Sequence, residues 1–356
     1  MIYVHVPFCK KFCTYCDFYS EIAEEGCFKA YGDGVCAEIR QRAKDMDDDP
    51  RTLYFGGGTP SVLPLSVLTR ILITLDEVGH GGPYREFTME VNPEDIVEKG
   101  KGYVESLLSL GVNRLSIGVQ SFDDRMLQWM NRRHDAAGAK EAFRLAREAG
   151  AENISLDLIF GITHLDDAVW ADTIDQAIAL GPEHISCYQL SVEGESALAE
   201  MVAEGRYTEA DDTLCRRQYD MLCQKLGAAG YHHYEISNFA KEGFEAVHNG
   251  GYWERRPYVG IGPGAHSFRG MPARGTARSS GAGSPRRRSS PPRIPSSKPS
   301  CCPCGLTRAS TRTSCTEIAA RKISDDSWKP EPWSARATVT GSPRTTSSFP
   351  TRSSAN

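Results

Sequence analysis

The chain has 356 residues, of which 40% are hydrophobic and 24% charged, with a net charge of −5. That length allows one large domain or two ordinary ones; no apolar run nears the ~18 residues a membrane span needs, and nothing at the start reads as a leader peptide. The charge is divided, with 16 Lys and Arg against 4 Asp and Glu from Arg269 onward and 25 against 42 before it, and so acidic a body excludes a general nucleic-acid surface.

Residues 1–190 alternate between short apolar runs and longer stretches of helical period. The pattern predicts strands at Ile2–Val6, Thr52–Phe55, Glu86–Val91, Asn113–Val119, Ile154–Phe160 and His184–Leu190. Helices are expected over 29–46, 65–79, 96–110 and 168–181, with a broken one over 123–149. Regular alternation argues for a parallel sheet covered by helices. Six such units are too few for a closed eight-stranded barrel and suit an open, partial one. Residues 191–268 continue as a smaller folded α/β region, with a helix near 209–228 and closely spaced glycines at Gly260, Gly262 and Gly264. Residues 269–356 hold 18 Ser, 13 Arg and 11 Pro and show no period. Such a segment buries too little apolar surface to offset ordering entropy, so it is expected to be disordered. Its abrupt onset predicts a reading-frame shift soon after Phe268, the alternative being a genuine basic linker. Cys301, Cys302, Cys304 and Cys315 lie in this segment with no fold to support a second cluster.

The first predicted strand runs into Cys9, Cys13 and Cys16, spaced C-x3-C-x2-C, with Phe12, Tyr15 and Phe18 interleaved. Thiolates hold iron–sulfur clusters, and a cubane usually takes four. A loop offering three leaves one iron open to a small molecule, like the open position of a catalytic metal. The other readings are a zinc knuckle, for which no fourth Cys or His follows at finger spacing, or three unrelated buried thiols. Holding free thiolates suits a reducing cytosol, so a cytoplasmic location is expected.

This loop resembles the radical S-adenosylmethionine (SAM) superfamily, whose mark is C-x3-C-x2-C with an aromatic before the third cysteine, here Tyr15. SAM at an open iron needs partners, and in parallel α/β folds these gather at the C-terminal ends of strands. Gly57, Gly58 and Thr59 follow the second strand and bring backbone carbonyls near an ammonium group; the alternative is an ordinary tight turn. Glu90 and Asp157 can accept from ribose hydroxyls or the ammonium, or else form a structural pair with a neighbouring Arg. Gln120 offers an amide to ribose, and Arg132 a guanidinium suited to the SAM carboxylate. Arg133 and His134 are expected at a solvated helix end.

The resemblance extends through HVPFCKKFCTYCDF, YFGGGTPS, EVNPE, LSIGVQSF, NRRHD, SLDLIFGI, HISCYQLSVEGES, HYEISNFA, HNGGYW and GIGPGAHS. These stretches cover residues 1–268 and are similar to the subfamily of oxygen-independent coproporphyrinogen III oxidase and the heme chaperones. The resemblance implies a radical SAM partial (β/α)6 TIM-like barrel and a [4Fe-4S] cluster on Cys9, Cys13 and Cys16. It implies SAM contacts at Tyr3, Gly57, Gly58, Thr59, Glu90, Gln120, Arg132 and Asp157. The oxidase carries a further cysteine two residues after the third ligand, where this chain has Phe18, as the heme chaperone does. The resemblance therefore implies heme binding and delivery to hemoproteins of the respiratory-chain type. His248, beside Tyr252 and Trp253, is the first candidate axial ligand, the alternative being a hydrogen-bonded structural histidine. His232, His233 and His266 are weaker candidates, and Cys187 and Cys223 read as buried core thiols. Two other functions stay open. One is an oxidase-type enzyme, fed by an electron donor, that decarboxylates a porphyrinogen propionate in porphyrin biosynthesis. The other is an iron–sulfur protein left inactive because the tail replaces the family's C-terminal domain.

Overall fold

Strand sequences such as Glu86–Val91 (EFTMEV) and Arg114–Gln120 (RLSIGVQ) alternate polar and apolar side chains. Successive side chains of a strand point to opposite faces, so such a strand presents one apolar and one polar face. The structure, a computed structural model, describes residues 1–24, 26–47, 51–192, 194 and 196–269. The expectations for the tail beyond Arg269, namely disorder, a frame shift and the unsupported cysteines, lie outside the described residues.

Apart from a short parallel pair, Phe8–Cys9 with Glu21–Ile22, that flanks the cysteine loop, the strands are β1 (Ile2–Val6), β2 (Thr52–Gly57), β3 (Glu86–Val91), β4 (Arg114–Gln120), β5 (Ile154–Phe160), β6 (His184–Gln189), β7 (His232–Glu235), β8 (Asn238–Ala240) and β9 (Val259–Ile261). They form one sheet in the order β9-β1-β2-β3-β4-β5-β6-β8-β7. Every pairing from β9 to β6 is parallel, with Val6 opposite Gly57, Glu90 opposite Ser116 and Asp157 opposite Ser186. β8 and β7 add antiparallel at the β6 edge. The ends of the sheet do not pair with each other, so the barrel is open. Residues beyond 190 supply strands at both edges, and the sheet is continuous across that point.

Crossover helices cover the apolar face. They are α1 (Cys27–Arg42), α2 (Leu65–Glu77), α3 (Pro93–Lys99), α4 (Lys101–Ser109), α5 (Asp124–Trp129), α6 (Ala136–Glu148) and α7 (Asp167–Leu180). Leu53, Phe55, Phe87, Met89, Leu115, Ile117, Leu156 and Ile185 pack there with Leu68, Ile71, Val104 and Ile174 in one core. After β6 come α8 (Ala197–Ala203), α9 (Asp212–Ala228) and α10 (Val247–Trp253). The helix expected over 96–110 is two helices, because Gly100 turns to φ 73 between α3 and α4, a conformation that glycine adopts without strain. The break expected within 123–149 falls between α5 and α6. Asp123 caps α5 by accepting from Met126 N at 3.1 Å, and Asp135 caps α6 by accepting from Gly138 N at 2.7 Å. Each such cap satisfies an amide the helix leaves unpaired.

Candidate functional site at the open end of the barrel

The polar face of the sheet lines the inside of the barrel. Each of five neighbouring strands is buried along its length except at one residue: Tyr3 on β1, Gly57 on β2, Glu90 on β3, Gln120 on β4 and Asp157 on β5. All five are among the SAM candidates. Glu90 accepts from Tyr54 Oη at 2.7 Å and from Gly57 N at 3.2 Å. Burial raises its pKa to about 7; the charge of Asp157 adds to this, and the Tyr54 bond opposes it. Asp157 is also raised by burial, against the hydroxyls of Ser186 and Ser116 and the charge of Arg114. Ser116 Oγ lies 3.2 and 3.1 Å from its two oxygens. Gln120 sits at φ 68, where the register between β4 and β5 shifts. Bulges of this kind re-aim side chains next to functional sites, and positive φ in a glutamine is uncommon.

The cysteine loop is held over this lumen by the end of β2. Gly58 N donates to Val6 O at 2.8 Å and Thr59 N to Phe8 O at 2.7 Å. Gly57 has φ +112, and a Cβ there would stand 2.5 Å from the His5 ring. A Cβ on Gly58 would meet Phe8 O at 2.9 Å. In this fold, then, the two glycines let the cysteine loop and His5 pack against the strand. His5 is buried, its Nδ1 3.1 Å from Tyr3 Oη and its Nε2 2.9 Å from Tyr19 O.

A continuous chain of hydrogen bonds joins two of the cysteines. Thr59 Oγ1 donates to Cys9 Sγ at 3.5 Å, and Asn92 Nδ2 to Thr59 Oγ1 at 3.3 Å. Arg132 Nη2 donates to Asn92 Oδ1 at 2.8 Å, and Nη1 to Cys13 Sγ at 3.3 Å. Asn92 stands at the N-cap of α3 yet makes no side-chain cap bond; its amide bridges Thr59 and Arg132 instead. Sequence reasoning assigned no role to Asn92, although a capping residue just after a predicted strand end was the available signal.

Three cysteines on one loop fit the cluster by donor chemistry. Cys9, Cys13 and Cys16 are all free thiols. Burial pushes the Cys16 thiol up to about 12 and raises Cys9 as well, so metal ligation is what would hold them as thiolates. Among the described residues no three His, Cys, Asp or Glu side chains converge on a single metal ion. A polynuclear cluster asks instead for one thiolate per iron.

Two expectations change. Arg133 and His134 are not at a solvated end. His134 is 7% exposed, with Nδ1 3.2 Å from Glu94 Oε2 and Nε2 3.0 Å from Val119 O, and Arg133 pairs with Glu98 at 2.7 Å. The packing of α3 against the segment after α5 buries His134 and half-buries Arg133. His248 lies on α10, away from the cysteine loop. It is fully buried, with Nδ1 2.8 Å from Thr52 Oγ1 and Nε2 2.9 Å from Tyr252 Oη. Both ring nitrogens are thus engaged, which is the structural alternative for this histidine and leaves no nitrogen for a heme iron. His232, His233 and His266 are exposed. Cys187 is buried, as expected, and Cys223 half-buried.

The model of the Radical SAM superfamily matches residues 3–177. The heme chaperone HemW of Bacillus subtilis is 37% identical over 271 residues, covering 75% of this chain and 70% of that protein. The heme chaperone HemW of Synechocystis sp. is 34% identical over 272 residues, and the chain spans 65% of its length. A mitochondrial radical S-adenosyl methionine domain-containing protein 1 of Danio rerio is 32% identical over 266 residues, 74% of this chain and 59% of that one. Among solved structures, coproporphyrinogen III oxidase (HemN) from Escherichia coli superposes with a TM-score of 0.63 at 23% identity, covering 75% of this chain and 64% of that one. At that identity the likeness shows the fold alone.

Proposed function

The chain belongs to the radical SAM superfamily, in the group of the heme chaperones named HemW, and we propose that it is itself a heme chaperone. In this reading it binds a [4Fe-4S] cluster on Cys9, Cys13 and Cys16, and SAM in the lumen beside it. It also binds heme, for delivery to hemoproteins in the cytoplasm or at a membrane. The observation that carries the reading is the similarity to the HemW proteins over three quarters of the chain, with Phe18 where the oxidase has a further cysteine. No helix among the described residues is long and apolar enough to cross a membrane.

The chain's own residues do four things in this account. The cysteine loop supplies three thiolates and leaves one iron for SAM. Glu90, Asp157 and Gln120 accept from or donate to its polar groups from three adjacent strands. Arg132 faces the loop as a cation. Tyr3 and Tyr54 wall the lumen and, with the buried sheet beneath, limit water. When bound, the cluster supplies a one-electron reductant for SAM. The test is heme titration of the anaerobically reconstituted chain. A Soret shift saturating at one heme per chain, followed by transfer to an apo-hemoprotein, is expected. Consumption of coproporphyrinogen with matching methionine release, and no heme uptake, would replace this reading with the oxidase one.

A further inference from the structure

Arg132 is fixed at two of its three nitrogens. Nη1 donates to Cys13 Sγ at 3.3 Å, while Nη2 donates to Asn92 Oδ1 at 2.8 Å and to Gly118 O at 2.7 Å. Nε is buried and has no hydrogen-bond partner. A guanidinium is planar and rigid, so holding the two terminal nitrogens also fixes the direction of Nε.

The backbone around it is tied to the cysteine loop at successive residues. Asn131, at φ 59, donates Nδ2 to Phe12 O at 2.7 Å. Thr14 N donates to Met130 O at 3.1 Å, and Thr14 Oγ1 to Trp129 O at 2.8 Å. Lys10 pairs with the fully buried Asp95 at 2.9 Å, and Asp95 also accepts from Ser61 Oγ at 2.7 Å. Residues 129–132 therefore grip the loop on both sides of Cys13, and α3 grips it beside Cys9. So many bonds leave Arg132 little freedom to swing away from the sulfur.

Resting on the cluster and SAM reading above, we propose that Arg132 is a positioning residue whose N–H···S bond to Cys13 sets the reduction potential of the cluster. A cationic donor on a ligating sulfur draws charge from the iron and favours the reduced state. The free Nε is the donor left over for an anionic group of SAM. One guanidinium thus serves the cluster and its ligand, and one substitution changes two separate properties.

The experiment compares the full chain with Arg132→Met and Arg132→Lys, each reconstituted anaerobically with iron and sulfide. The cluster's midpoint potential is measured by an EPR-monitored titration without SAM, and SAM affinity by equilibrium binding. Arg132→Met is expected to keep its iron, to shift to a more negative potential, and to bind SAM roughly tenfold more weakly or worse. Arg132→Lys keeps the charge but loses the fork, and its potential is expected between the two. Wild-type protein carrying isotope-labelled arginine is expected to show hyperfine coupling from a guanidinium nitrogen to the reduced cluster, which tests the N–H···S contact even if the variants do not fold. A folded, iron-loaded Arg132→Met with the wild-type potential, or no arginine coupling in the wild type, overturns the inference and leaves the cluster reading standing. Wild type that holds no cluster at all overturns both.

Discussion

Glu90 concentrates the electrostatics of the lumen in one group. Tyr54 on β2 donates to it, Arg114 on β4 and Asp157 on β5 act on it as charges, and Tyr3 on β1 lies near enough to feel its charge. Its folded pKa, about 7, lies above the ordinary 4.5. The fold by itself therefore holds the proton more tightly than the unfolded chain does, and Glu90 costs stability as pH rises from 4.5 to about 7. The carboxylate attracts an ammonium group more strongly than the neutral acid does, so SAM affinity is expected to rise as pH passes upward through about 7. Calorimetric titration across that range checks it, and Glu90→Gln is expected to bind more weakly with a flat profile. An unchanged slope in the variant would move the titrating group elsewhere. At Gly57 the argument is steric: φ +112 and a Cβ position 2.5 Å from His5 leave no room for a side chain. Gly57→Ala is expected to lower the unfolding free energy by about 1–3 kcal/mol and to reduce iron retention. Urea titration and iron assay would show both, and an alanine variant as stable as wild type would refute the close packing of His5.

Element by element, α10 closes the end of the barrel away from the cysteine loop. Glu86 on β3 accepts from Val247 N at 2.6 Å and His248 N at 3.0 Å, placing a carboxylate at the helix N-terminus. The His248 ring then bonds Thr52 and Tyr252. Removing that ring strands two hydroxyls, so His248→Ala is expected to cost about 2–4 kcal/mol in urea while heme affinity per folded molecule is retained. Wild-type stability with lost heme binding would instead return His248 to the ligand role. Burial holds His248 down near 3 and His184 well below the ordinary value, and the Arg114 charge adds to both. The unfolded chain takes up these protons below 6.5 and the fold does not. Each histidine therefore withdraws ~1.4 kcal/mol of stability per pH unit as pH falls through that window. Urea midpoints measured on either side of pH 6.5 test this; a midpoint that holds as the pH falls would contradict neutral burial.

Across the whole molecule, most of the parallel sheet was legible, because its six long strands are apolar runs closed by turns. The polar alternation within them was also present in the sequence. Thr88 with Glu90, Arg114 with Ser116, and Ser155 with Asp157 mark a lumen face that reading them as apolar runs passes over. The strands β7 to β9 were not legible: each is three or four residues long and is defined by a distant partner, as β9 is by β1. The cysteine loop and the strand-end residues stood out by spacing and position. The roles of Asn92, Asn131 and Arg133 did not, because each depends on the fold bringing 9–14, 92–98 and 129–134 together. His248 shows the limit in the other direction, since a histidine beside aromatics reads alike as a ligand or as a buried hydrogen-bonded group.

In the proposed function the three-cysteine loop and the five strand residues form one site, in which SAM meets the cluster. EPR of the dithionite-reduced, reconstituted chain, recorded with and without SAM, tests it most directly. The expected result is a [4Fe-4S] signal that changes on adding SAM, an unchanged signal when SAM is added to Asp157→Ala, and no such cluster in Cys13→Ala. A wild-type cluster whose signal is indifferent to saturating SAM would contradict it.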